Sequence, residues 1–162
     1  MAPGKILVSQ YNGSYVIKLV GDVRVTLCTS LNNYMDVVFQ SDKISEVVID
    51  MIDAVGVDST TLGLLAKLAI YCNDKFKLKP VVFCPDDSLY QILMVMGLDD
   101  VFEIVQSVPS VSEKLEELSV ASPSIADETR KHVLEAHHLL SSFNERNRQE
   151  FVDLIRVLEE SV

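Results

Sequence analysis

Basic residues are in short supply: 14 Lys plus Arg stand against 24 Asp plus Glu, giving a net charge of −10 and a pI near 4.6. A surface that follows phosphate backbones needs the opposite balance, so nucleic acid is not expected as a direct partner. No uninterrupted run of about 18 apolar residues occurs, and the apolar stretch near Ile6 is far too short for a secretory segment. The expectation is a cytoplasmic chain with no membrane contact. Cysteine is scarce: Cys28, Cys72 and Cys84 are odd in number and form no C-x-x-C, as suits reduced thiols buried in a core. The glycines Gly4, Gly13, Gly21, Gly56, Gly63 and Gly97 are scattered and build neither a phosphate cradle nor a nucleophile elbow. Nothing therefore points to an intrinsic enzyme or to a cofactor. His132, His137 and His138 lack the i, i+4 spacing of a helical zinc pair, so no metal site is expected.

What is present suffices for a core. The 162 residues allow one compact domain plus an appendage, and 48% hydrophobic against 23% charged residues, with a mean hydropathy of +0.23, describe a globular chain. Alternating apolar residues around Ile6 and Val8, then Tyr15, Ile17 and Leu19, flank Asn12-Gly13 and predict an opening β-hairpin. The continuous apolar runs Val47-Val48-Ile49 and Val81-Val82-Phe83 predict strands covered on both faces, and Val101 to Val105 predicts an edge strand. Helical patterns fall between them at 26–40, 59–74 and 86–96, and a capping box at Ser110-x-x-Glu113 predicts another over 110–118. The order ββαβαβαβα calls for an α/β fold: a mixed sheet of about five strands with crossover helices.

Residues 119–124, which include Ser122-Pro123, read as a linker into a C-terminal helical extension. Val133, Ala136, Leu140 and Phe143 form one stripe; Phe151, Leu154, Ile155 and Leu158 form another after a second capping box at Ser142-x-x-Glu145. These patterns fit a helical hairpin or one long helix with a polar middle. The stripe of the second half suits capping the sheet, pairing with a second copy as a homodimer, or a further docking surface.

The distinctive stretch is a buried strand ending at Asp50, an acidic loop, then Asp58-Ser59-Thr60-Thr61 opening a helix. Backbone N–H groups without intrahelical acceptors and the positive end of the helix dipole meet a hydroxyl there, so a phosphate on Ser59 is locally accommodated. Asp and Ser are also preferred N-cap residues, and Asp58 or Ser59 equally suits a purely structural helix start. The helix that follows is apolar nearly all round, so its second side needs a cover: a neighbouring helix of the same fold or a partner.

The run Val48-Ile49-Asp50, a loop, then Val57-Asp58-Ser59-Thr60-Thr61-Leu62-Gly63-Leu64-Leu65 resembles the signature of the STAS family of anti-sigma factor antagonists. Leu19-x-Gly21, Gly97-Leu98, Phe102 and Ile104 extend the resemblance over roughly residues 5–118. It implies a STAS domain over 1–118, with 119–162 as linker and helical extension. It further implies partner switching, in which the unmodified antagonist binds an anti-sigma factor with serine-kinase activity. Phosphorylation of the serine after the Asp, here Ser59, releases that partner, and a metal-dependent serine phosphatase of the PP2C type restores the hydroxyl. Asp58, Thr60, Thr61, Gly63 and Lys67 are the expected partner contacts, with Thr60 and Thr61 as reserve phosphoacceptors. The chain departs from the family pattern at Thr61, where Gly is usual, and at Arg24, where an acidic residue is usual.

Two other readings stand beside this one. Ala136-His137-His138-Leu139-Leu140 is similar to a phosphohistidine motif, but Leu140 and Ser141 replace its lysine and glycine, and the tail is too short for a four-helix bundle. A STAS module acting as scaffold or ligand sensor, with Ser59 only a cap, is the other.

Overall fold

The computed structural model describes residues 3–107, 116–118 and 126–160. Strand β1 (Lys5–Tyr11) turns through Asn12 and Gly13, with φ of 48° and 83°, into antiparallel β2 (Ser14–Val23). A two-residue hairpin matched to strand twist needs positive φ at both positions, and Asn-Gly tolerates it. The first half of β2 pairs in parallel with β3 (Glu46–Asp50). After a register shift at Gly21/Asp22, its end pairs in parallel with β4 (Ala54–Val57). Strands β5 (Val81–Phe83) and β6 (Glu103–Val105) extend the parallel side, and β7 (Glu116–Glu117) lies antiparallel to β1. The order is β6-β5-β3-β2-β1-β7, with β4 beside β2.

The helices are α1 (Cys28–Phe39), preceded by a 3-10 turn at Val25–Leu27, α2 (Ser59–Phe76), α3 (Asp87–Val95), α4 (Ala126–Ser141) and α5 (Glu145–Glu160). Ile6, Ile17, Leu19, Leu31, Met35, Ile49, Leu62, Leu64 and Leu68 are fully buried between sheet and helices. Each such side chain contributes about 1.5–3 kcal/mol relative to exposure. Cys28, Cys72 and Cys84 are buried free thiols, and desolvation pushes the last two up to about 11. No helix among the described residues is long and apolar enough to cross a membrane.

The α/β class with mixed sheet and C-terminal helical hairpin is as expected, with local differences. Among the described residues the sheet has seven strands, not about five. One of the extra strands, β4, occupies the stretch read as an acidic loop: it is only four residues long and contains Gly56, too little for an alternation to register. Residues 116–117 are strand, not the end of a helix over 110–118, because their backbone finds partners on β1 at Leu7 and Val8. The capping box Ser110-x-x-Glu113 and the Ser122-Pro123 pair lie outside the described residues.

The tail is two helices. Their turn is capped by Asn144, whose Oδ1 accepts from the Asn147 N–H at 2.8 Å, and not by Ser142, whose Oγ donates to the Leu139 carbonyl at 2.6 Å. The hairpin lies on the body of the fold. Helix α4 packs on α2 and α1, and α5 packs on α4. Buried Asn147 donates to the carbonyls of Met96, just past α3, and of Leu140, at 2.7 and 2.8 Å. The first bond ties the hairpin to the end of α3, and the second closes the hairpin on itself.

Candidate phosphorylation and partner site

The start of α2 is built by Asp58. Its backbone is extended (φ −95°, ψ 169°), and its Oδ1 accepts from the Thr61 N–H at 2.9 Å and from Thr61 Oγ1 at 2.8 Å. The other oxygen, Oδ2, accepts from the Val25 N–H at 2.6 Å, pinning the helix start to the turn before α1. One carboxylate thus satisfies three donors, two of which would otherwise be orphaned. Thr61 stands where the family usually has Gly, and its side chain is consumed in this cap, 1% exposed. Thr60, at 5% exposure, is also inside.

With the cap assigned to Asp58, the hydroxyl of half-buried Ser59 is free for another role. It lies 2.7 Å from Nε2 of His137 on α4. His137 Nδ1 lies 2.6 Å from the Val133 carbonyl oxygen, which can only accept, so Nδ1 carries the ring proton. In the neutral ring with that tautomer, Nε2 accepts and the Ser59 hydroxyl donates. The ring is 2% exposed and meets the Phe151 ring edge-on, centroids 4.8 Å apart. A second contact follows one turn along α2. A Cβ built at Gly63 would lie 2.5 Å from the Ala136 Cβ and carbonyl oxygen, so α4 crosses α2 where neither helix has bulk. A turn further, Lys67 Nζ is 2.9 Å from Glu135 Oε1 and 3.2 Å from Asn32 Oδ1.

The charges along β2 and after β3 are paired. Arg24, which reverses the family's usual charge, places its Nε 2.9 Å from both carboxylate oxygens of Asp22. Asp53 pairs with Lys18 at 2.9 Å, and Asp50 with the same ammonium at 3.3 Å. Burial would push Lys18 down, but the hydrogen bond to Asp53 and the charge of Asp50 outweigh it and raise its pKa.

The expected contact residues are therefore brought together, but not left open. Asp58, Thr60 and Thr61 hold the helix start; Gly63 lies under Ala136 and Lys67 is paired with Glu135. The cover that the second side of α2 requires is α4. His137 is the functional neighbour that sequence reasoning missed, since it sits 78 residues from Ser59 and reads locally as one side of a polar helix. The signal available was the small pair, Gly63 on one helix and Ala136 beside the histidine on the other. Both ring nitrogens of His137 are engaged inside the fold, which leaves neither to take a phosphoryl group in this arrangement. Among the described residues, no group of three His, Cys, Asp or Glu side chains is placed to hold a metal ion.

A family model described as STAS domain matches residues 5–111. The structure is similar to that of the anti-sigma factor antagonist SpoIIAA in its unphosphorylated form, with TM-score 0.53 and 10% identity over 64% of this chain and 89% of that one. It is also similar to the Bacillus cell fate determinant SpoIIAA in the phosphorylated form, with TM-score 0.52 and 11% identity over 63% and 92%. An anti-sigma factor antagonist from Mycobacterium paratuberculosis gives TM-score 0.53 and 20% identity over 65% and 88%. At these identities the likeness is one of fold. No curated protein matches the chain.

Proposed function

The chain belongs to the STAS family, and from that premise we propose that it is an anti-sigma factor antagonist controlled by phosphorylation of Ser59. In this reading residues 1–118 are the STAS domain and 119–162 the linker and helical extension. The unphosphorylated form binds an anti-sigma factor with serine-kinase activity in the cytoplasm, and a PP2C-type phosphatase reverses the modification. The chain is a substrate in that cycle and performs no chemistry of its own.

The observation that carries the proposal is the division of labour at the start of α2. Asp58 takes the whole capping role, so the hydroxyl of a partly exposed serine is left at a helix N-terminus without a structural duty to α2 itself. Phosphorylation adds about −1.5 to −2 charges at that point, beside the Asp58 carboxylate. At an effective dielectric near 20, unit charges about 4 Å apart interact by roughly 4 kcal/mol, which changes an affinity by orders of magnitude. Because α4 covers Gly63 and pairs with Lys67, the partner meets a surface built jointly by the α2 start and α4, supported from beneath by Asp58, Thr60 and Thr61.

The test is affinity capture of the anti-sigma factor with the full chain as wild type, Ser59→Ala and Ser59→Asp. Wild type and Ser59→Ala are expected to retain it and Ser59→Asp to lose it. Equal recovery with all three refutes the switch and leaves Ser59 as part of a scaffold.

A further inference from the structure

We propose that the α4–α5 hairpin is a latch held shut by the Ser59 hydroxyl, and that phosphorylation of Ser59 opens it. The inference rests on the reading of Ser59 as the phosphoacceptor and adds what that modification does to the chain itself.

One proton joins Ser59 to His137. His137 Nδ1 is committed to the Val133 carbonyl at 2.6 Å, so its Nε2 depends on a donor from elsewhere, and the Ser59 hydroxyl at 2.7 Å supplies it. A phosphoserine has no hydroxyl proton on its bridging oxygen. The 2.7 Å gap also has no room for a phosphorus atom and three more oxygens. If the phosphate turns outward through the exposed side of Ser59, Nε2 is left as a buried acceptor without a donor, on a ring that is 2% exposed. If it turns inward, a dianion is forced against the buried His137 ring, which rests on Phe151, beside the close crossing of Gly63 and Ala136. Either placement loses the hydroxyl bond that holds the closed state.

Apart from the apolar burial of Ala136 and Leu140, the attachments along this row of α2 are slight. Gly63 and Ala136 meet with minimal side-chain area, and the Lys67–Glu135 pair is partly exposed, a kind of contact that adds little. Ser59–His137 is thus the contact at this crossing that both needs desolvation and depends on the modified atom. Opening removes α4 from the joint surface with the α2 start and uncovers Ala136 and Leu140, each 0% exposed when closed. The switch therefore changes shape as well as charge.

The experiment compares the unmodified full chain with the same chain carrying genetically encoded phosphoserine at position 59, by amide hydrogen exchange resolved to peptides. No kinase or partner is involved, so its result is independent of the capture experiment. Exchange in α4 is expected to accelerate about tenfold or more on phosphorylation, while β2 and β3 stay unchanged. His137→Ala should reproduce the acceleration without phosphate, and phosphoserine in that background should add less than a further twofold. Unchanged or slowed exchange in α4 on phosphorylation overturns the latch. A tenfold phosphate effect that persists in His137→Ala overturns the role of the histidine as its pin.

Discussion

Gly63→Ala sets two well-measured tendencies against each other. In a helix interior, alanine is favoured over glycine by about 1 kcal/mol, so in α2 taken alone the change stabilises. The added Cβ, however, falls 2.5 Å from the Ala136 carbonyl oxygen and 2.6 Å from its Cα, and backbone atoms cannot rotate aside as a flexible side chain would. Overpacking of this kind costs about 1–3 kcal/mol. The cost outweighs the gain, and since the α2 backbone is fixed by the sheet and by the Asp58 cap, the element that yields is α4. The net loss, about 1 kcal/mol, corresponds to a drop of roughly 2–4 °C in Tm for a chain of this length. Thermal unfolding gives the sum, and peptide-resolved hydrogen exchange gives the location: faster exchange in α4 and α5 with α2 unchanged or slower. A Gly63→Ala variant that melts higher and keeps α4 protected would refute the close crossing, because helix propensity would then be acting with nothing opposing it.

Asp58→Ala is expected to cost about 2–3 kcal/mol, the value of an N-cap plus a partly buried Val25 N–H left without its acceptor. Asp58→Asn, which keeps one acceptor oxygen for the Thr61 N–H and loses the one for Val25, should cost about half; denaturant titration separates them, and equal stability of all three forms would remove Asp58 from the cap. The thiols give a pH prediction. Burial raises Cys28, and raises Cys72 and Cys84 from 9.0 to about 11, so the stabilisation they represent is complete below about pH 9, where thiols of the unfolded chain are still protonated, and is lost as pH climbs toward 11. Ellman's reagent at pH 8 should find no reactive thiol in the folded chain and all three after denaturation; rapid reaction of the native protein would show the burial to be wrong.

The features legible in the sequence are those specified by neighbours in sequence. The Asn12-Gly13 turn, the buried runs of β3 and β5, and the helices with Asp58 and Asp86 at their starts follow from backbone chemistry within four or five residues. Short strands escaped because pairing, and not pattern, makes them: β4 exists by lying beside the end of β2, and β7 by meeting Leu7 and Val8 of β1. The Ser142 capping box matched a frequent pattern, but a competing acceptor two residues on, Asn144, fixed where α5 begins. At the site, the strand, the capping acid and the serine were visible, while the histidine on that serine was not.

The cover over α2 shows how the two kinds of information combine. A helix apolar on two sides requires a second contact, and the sequence alone leaves open whether the same chain or another supplies it. Gly63 bears on that choice, since a glycine inside a helix is disfavoured unless something approaches its backbone closely. Here Ala136 does so, and the same approach carries His137 to Ser59 and Glu135 to Lys67. Three consecutive residues of α4 thus meet three positions on α2, each four apart, and along this row polar pairs flank a contact with no bulk. Such a row holds a helix in one register, so a change at one end is not absorbed by the others. The end that a modification can reach is Ser59.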